Sequence, residues 1–338
     1  MRGLAVWLVL ALAAPALAQE DFYRDRSIDL YIPTTAGGSF DVYGRLAARH
    51  LGRHIPGNPN VIVTGMAGAA GNTMAAYVAT VAPRDGTIIG APISTLPLAP
   101  ILEDASALRY DPTKLQWLGS AAEDVFMCVV RRNGPLKTFA DAFTTPAIMG
   151  GSSETSQTGY APMLLNNILG TKFRVVYGYP GTRELMTSME RGEIDGLCSM
   201  GLTTLRTQFP SFLKNESITV LVQERVTGDR EMDAMGVPRA GDFARTEDDK
   251  AILDMIYAQE LFGRPYFVSG DVPADRVEAL REAIMAAWRD PELLAEAQKT
   301  GLDVSPMSGQ AMQQLLTRIY GKPDELKRRA LAATRPPK

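Results

Sequence analysis

The sequence predicts an α/β protein of two lobes, each a central, mostly parallel sheet flanked by helices. Strand-like and helix-like periods alternate along the chain in two separate series, and long helical stretches rather than hairpin turns join the strands. The length points the same way: 338 residues exceed the roughly 100–200 residues of a typical single domain.

Taken in order, the first eighteen residues read as a targeting segment. Arg2 supplies a positive start, Leu4 to Ala14 form an apolar run, and Ala16-Leu17-Ala18 is a small-residue cleavage site. Residues 1–18 are therefore expected to be a signal peptide, cleaved after Ala18, with a soluble product in the periplasm. A membrane anchor would need about 20 apolar residues, whereas Pro15 interrupts this run and Gln19-Glu20-Asp21 follow it.

The first α/β series runs from Ser27 to Ala91. Ile28, Leu30 and Ile32 alternate as a strand, and Val42, Leu46 and Leu51 recur at helical spacing. A second strand, VIVT, leads through Gly65 to Asn72 into another helix, and Thr87 to Ala91 form a third strand. The second series has strands at Val125 to Arg131, Ala147 to Gly150, Phe173 to Tyr177, Gly196 to Ser199 and Ile218 to Gln223. From about Thr227 the pattern is mainly helical, with Pro273 and Pro291 at helix starts. The lobes are expected to be 19–123 with 226–338, and 124–225, with a ligand cleft between them.

Composition narrows the function. With 35 basic against 38 acidic residues, a net charge of −3 and no polybasic tract, nucleic acid and anionic membranes are excluded as main partners. Catalytic parts are scarce. The two histidines, His50 and His54, share one helix face without an H-E-x-x-H pattern, so they read as solvated residues and no metal site is expected. Gly-x-Ser-x-Gly, a P-loop and GxGxxG are absent, so neither an enzyme nor a cofactor is expected. Cys128 and Cys198 both fall in predicted strands. They are either two buried thiols or, as export favours, a disulfide closing a loop of about 70 residues, with a stabilisation of about 4 kcal/mol.

The candidate binding residues lie in turns after strands. Thr34, Thr35, Ala36, Gly37, Gly38 and Ser39 follow the first strand; Ser152, Ser153, Thr155 and Ser156 follow Gly150-Gly151 in the second series. In open α/β sheets ligands bind outside the carboxyl ends of the strands. The first turn of each following helix there has unpaired N–H groups and a partial positive charge suited to an anion. Gly71, Asn72, Ser94, Thr95, Tyr179 and Gly181 occupy similar turns. Arg183 could pair bidentately with a carboxylate, whereas Asp41 would repel one and reads as a complement to its helix dipole.

Several of these segments, in this order, resemble the extracytoplasmic receptors of tripartite tricarboxylate transporters, the Bug family. They are IDLYIPTTAGGSFDVYGRLAARHL, VIVTGMAGAAGNTMAAYVATVAPRDGTIIG, YDPTKLQWLGSAA, GSSETSQTGYAPMLLNNILG, VVYGYPGTRELMTSMERGEIDGL and VPADRVEALREAI. The resemblance covers essentially the whole chain after the signal peptide. It implies a two-domain type II periplasmic binding fold and a monomer that closes on a small organic carboxylate and delivers it to integral-membrane transporter subunits. By motif position it gives one carboxylate to Thr35 through Ser39. Second-lobe contacts fall to Ser152, Ser153, Thr155 and Ser156, with Tyr179, Gly181 and Asp195 nearby. This chain has Tyr179-Pro180-Gly181 where the family often has Tyr-Lys-Gly. Two rival readings are a ligand-sensing receptor for a signalling ectodomain and an exported serine hydrolase.

Overall fold

The computed structural model describes residues 22–34, 39–103 and 108–336. The expected signal peptide and the candidate residues Thr35, Ala36, Gly37 and Gly38 lie outside these. Among the described residues, eleven strands form two sheets. They are β1 (Ser27–Ile32), β2 (Asn60–Gly65), β3 (Ile88–Gly90), β4 (Gln116–Ser120), β5 (Phe126–Arg131), β6 (Ala147–Gly150), β7 (Phe173–Val176), β8 (Gly196–Gly201), β9 (Ile218–Gln223), β10 (Pro265–Val268) and β11 (Met307–Ser308). The first sheet has the order β11-β4-β10-β3-β1-β2, the second β7-β6-β8-β5-β9.

Both sheets are mixed. In the first, β1 pairs in parallel with β2 and β3, while β10 runs antiparallel to both β3 and β4. In the second, β6 is parallel to β7 and β8, and β5 is antiparallel to both β8 and β9. One reversed strand thus sits between parallel neighbours in each sheet, and in the first sheet the edge strand β11 also runs antiparallel to β4. The cause lies in the path of the chain. It comes to β5 through Asp124 and to β10 through Phe262-Gly263-Arg264, arriving in each case at the end where the parallel strands finish, so the next strand has to run backward.

The alternation read from the sequence produces the core. In β1, Ile28, Leu30 and Ile32 point inward to Tyr43, Leu46 and Leu51 of the helix Ser39–Leu51 and to Leu280, Ile284 and Trp288. The second core gathers Met127 and Val129 of β5, Leu197 and Met200 of β8, and Leu185, Met186 and Met189 of the helix Thr182–Glu190. No described helix is long and apolar enough to cross a membrane.

Contacts divide the chain into two compact units. One holds Met1–Pro97, Ser106–Glu123 and Phe262–Thr317, and the other holds Leu98–Ala105, Asp124–Leu261 and Arg318–Lys338. The segments 226–261 and 318–336, expected in the first lobe, therefore group with the second. Aromatic and polar packing holds them there. Phe243 meets Phe139 and Phe143 at ring distances of 4.9 and 5.7 Å, and Tyr160 donates to Gln259 at 3.0 Å. Asn167 donates to the carbonyl of Ala333 at 2.9 Å, tying in the helix Asp324–Ala333.

The histidines are not solvated. His50 is 7% exposed and its Nε2 lies 2.9 Å from Glu296 Oε2, while His54 Nε2 lies 2.9 Å from Asp290 Oδ2. Together they join the helix Ser39–Leu51 and its extension to the helix Pro291–Thr300.

Cys128 and Cys198 form a disulfide between the neighbouring strands β5 and β8, closing a sequence separation of 70 residues. Pairing along β5 shifts register at Cys128 on both sides. Because the cross-link restricts the unfolded chain, full reduction should lower stability by about 4 kcal/mol in the loop-entropy account. Urea unfolding of the oxidised and reduced chains measures this, and equal midpoints would contradict it.

Candidate functional site

Parallel strands place their following turns at one end of a sheet, so the predicted binding residues can be located unit by unit. In the first unit, Pro33-Thr34 after β1, the turn from Gly65 to Gly71 after β2 and Ala91 to Thr95 after β3 share that end. The backbone draws them together: Met66 N–H donates to the Ile32 carbonyl and Ala91 N–H to the Tyr31 carbonyl, each at 2.8 Å. Gly71 shows why a small residue stands here. Its φ is +89°, and a Cβ there would meet Pro33 Cβ at 3.2 Å, so the turn after β2 packs directly on the turn after β1.

Ser39 and Asn72 begin the helices Ser39–Leu51 and Asn72–Thr80. Asn72 Oδ1 accepts from the Tyr110 hydroxyl at 2.6 Å, Ser94 is buried and Thr95 is half-buried. Thr34 Oγ1 is buried with no hydrogen-bond partner among the described residues. Asp41 accepts from Arg45 Nε at 2.8 Å, one helical turn on, so a cation beside it answers its charge.

In the second unit, Ser152, Ser153, Thr155 and Ser156 follow β6 and precede the helix Gln157–Leu169. Their hydroxyls are largely committed to one another. Ser156 is the N-cap: its Oγ accepts from Gly159 N–H at 3.2 Å and Ser153 N–H at 3.0 Å, and donates to the Ser153 carbonyl at 2.8 Å. Thr158 Oγ1 accepts from Ser152 N–H at 3.1 Å. These bonds hold the loop flush against the first helical turn. At Gly159 an added Cβ would lie 1.9 Å from the Ser153 carbonyl oxygen. Ser153 and Thr155 remain exposed.

Tyr179 and Gly181 lie after β7, at the same end as the Ser152–Ser156 loop, and Gly178 N–H donates to the Ser152 carbonyl at 3.2 Å. Tyr179 packs on the second core, and Arg183 is exposed in the first turn of the helix Thr182–Glu190.

Asp195 lies elsewhere. It immediately precedes β8, at the end of the sheet opposite Ser152, because its backbone N–H and side chain both meet Ile148 near the start of β6. Its Oδ1 accepts from Arg131 Nη2 at 2.7 Å and its Oδ2 from Ile148 N–H at 2.8 Å. Asp195 therefore bolts the sheet together.

Sequence reading missed a buried polar group at the carboxyl end of the second sheet. Glu224 and Arg225 follow β9, and both are buried with Asp124 and Glu260. Ser199, inside β8, has φ +54° and gives both its N–H and its hydroxyl to Glu224. The signal was present in VLVQER, where an apolar strand ends abruptly in three polar residues. A possible metal set of His50, Asp290 and Glu292 in the first unit is already served by Arg53, whose Nε lies 3.2 Å from Asp290 Oδ2 and whose Nη1 lies 2.5 Å from Glu292 Oε2.

Comparison with known proteins bears on the whole arrangement. No family model matches the sequence. An Agrobacterium vitis UPF0065 protein from the TAR-I ttuE-ttuC' intergenic region is 26% identical over 301 residues, 87% of this chain and 80% of that protein. A Cupriavidus necator UPF0065 protein from the gbd 5' region is 35% identical over 141 residues, 40% of this chain and 41% of that protein. Among solved structures, a TctC solute-binding protein from Polaromonas aligns with TM-score 0.68 at 18% identity, covering 90% of this chain and 98% of that one. The periplasmic binding protein BugD aligns with TM-score 0.65 at 17% identity, over 92% and 98% of the two chains. MatC from Rhodopseudomonas palustris, solved with bound malate, aligns with TM-score 0.62 at 17% identity, over 92% and 99%. The fold is thus that of the type II periplasmic binding proteins, two mixed sheets flanked by helices.

The loop geometry has a direct consequence for stability. Gly159→Ala should cost about 1–3 kcal/mol through overpacking and Ser156→Ala about 1 kcal/mol through the lost N-cap, whereas Thr155→Ala should stay within about 0.5 kcal/mol. Urea unfolding of the three variants checks this ordering, and a Gly159→Ala chain as stable as the parent would contradict the packing described.

Proposed function

We propose that the chain is an extracytoplasmic solute-binding receptor of the tripartite tricarboxylate transporter type. In this reading it captures a small organic carboxylate by closure of its two lobes and delivers it to integral-membrane transporter subunits. It works in the periplasm and binds without catalysing a reaction.

One observation carries the reading. A thirteen-residue helix begins after a strand of the parallel set in each unit, Ser39–Leu51 in one and Gln157–Leu169 in the other, and the sequence before each is rich in small residues. Unpaired N–H groups and the helix dipole favour a carboxylate over a neutral or cationic guest. The similarity to MatC, solved with malate, and to another Rhodopseudomonas palustris protein, solved with adipate, supports the same ligand class. In the second unit the exposed side chains at this end include Ser153, Thr155 and the Arg183 guanidinium, with the exposed Glu154 carboxylate between the two hydroxyl residues. Because the Ser156 hydroxyl is engaged in the loop, it contributes by holding Ser153 in place and not by meeting ligand.

Malate, adipate and related di- and tricarboxylates, with the corresponding neutral diamides as controls, form the test set in a thermal-shift experiment. A ligand at about one hundred times its dissociation constant adds about 2.7 kcal/mol of stability, so at least one acid should raise the melting temperature while its diamide does not. Arg183→Ala should leave the unliganded stability within about 0.5 kcal/mol and weaken the responding acid by about tenfold, the low end of a charge-assisted hydrogen bond. If no acid shifts the melting temperature, the proposal fails.

A further inference from the structure

Glu224 is unusual even among buried acids. It is 2% exposed, and both its oxygens are engaged by neutral groups. Oε1 accepts the Ser199 N–H at 2.7 Å and lies 3.2 Å from Cys128 Sγ; Oε2 lies 2.7 Å from Ser199 Oγ. The sulfur belongs to the disulfide and has no proton to give. A hydroxyl both donates and accepts, so Ser199 Oγ suits a protonated carboxyl at Oε2 as well as an ionised one.

The groups packed around it come from several elements. Tyr160 on the helix Gln157–Leu169, Tyr257 on the helix Glu247–Tyr257, and Gln259 and Glu260 on the following short helix Gln259–Phe262 gather with Asp124 before β5 and Arg225 after β9. Glu103 adds a further negative charge near Tyr160. Glu260 is 1% exposed; its Oε2 is 4.0 Å from Arg225 Nε, and its Oε1 has no hydrogen-bond partner. The Tyr257 hydroxyl is likewise buried, and neither atom has a hydrogen-bond partner among the described residues. Two carboxyl groups in so dry a place are far easier to hold neutral than ionised.

We propose that Glu224, with Glu260 beside it, is a proton-binding site of the second unit: the folded chain keeps a proton there that the unfolded chain has already released, and stability falls as the medium goes from acid through neutral. This inference does not rest on the ligand reading above.

Burial pushes the Glu224 carboxyl up to about 7, against the opposing pull of the two Ser199 donors. Burial likewise raises Glu260 well above the ordinary carboxylate range, with Arg225 opposing and the Glu224 and Asp124 charges adding to the rise. In the unfolded chain a glutamate titrates near 4.3. Between that value and about 7 the folded state binds a proton that the unfolded state does not. Stability therefore falls as pH rises through this window and levels off above it.

The test is urea unfolding of the wild type and of Glu224→Gln, disulfide intact, at about pH 6 and about pH 8. Glutamine keeps the shape and an acceptor for the Ser199 N–H but cannot titrate. The ratio of wild-type to variant folding constants should fall by about tenfold between the two pH values, equivalent to about 1.4 kcal/mol. A ratio that stays constant overturns the proposal. Should the variant fail to fold, the infrared carbonyl band of a protonated carboxyl in the wild type decides the matter. A band present near neutrality and lost at alkaline pH supports the proposal, and its absence at neutral pH overturns it.

Discussion

Helices that follow parallel strands all begin at the same end of the sheet, and each begins with N–H groups that have no partner within the helix. That constraint organises both units of this chain. In the first it gathers the turns after β1, β2 and β3; in the second it gathers the turns after β6 and β7. Neighbouring loops press closely at this end, so small residues are required in the turn at Gly71, against Pro33, and in the first helical turn at Gly159, against Ser153. The concentration of donors at one end is thus a product of strand direction, and the glycines and serines are what allow the loops to share the space.

Reversed strands serve the same arrangement. β5 and β10 each lie between parallel neighbours and run against them, because the chain reaches both from the carboxyl end. This brings Asp124 to the second sheet and Gly263-Arg264 to the first, at the ends where the turns after the parallel strands lie. In the second unit that end also holds the dry cluster of Glu224, Glu260 and Arg225, locked by Ser199 and the disulfide. Acids are tolerated there at a cost in stability, and the left-handed backbone at Ser199 is a further local cost.

Much of the fold was legible because its strands are bounded by turn residues and alternate clearly. Ala147–Gly150 and Ile218–Gln223 fall where the pattern places them, and Pro291 opens the helix Pro291–Thr300 as expected. β10 escaped detection. It is four residues long, begins with Pro265 and is buried throughout, so it shows no alternation and is lost in a helical region. Grouping of segments was harder still: nothing in the period of the helix Glu247–Tyr257 reveals that it packs beside the helix Asp324–Ala333. Among candidate residues, position in a βα turn was readable for Ser152 to Ser156, but their mutual hydrogen bonds were not. Asp195 reads as a turn acid near glycine, yet its partners Arg131 and Ile148 are distant in sequence and place it at the other end.

The central claim is that an anion is held where the parallel strands finish. Amide hydrogen exchange, measured with and without a dicarboxylate that binds, locates the contact directly. Added protection is expected in the loop and first helical turn spanning 151–159 and at the start of the helix Ser39–Leu51. Protection confined to the opposite end of the second sheet, around Arg131 and Asp195, would contradict it.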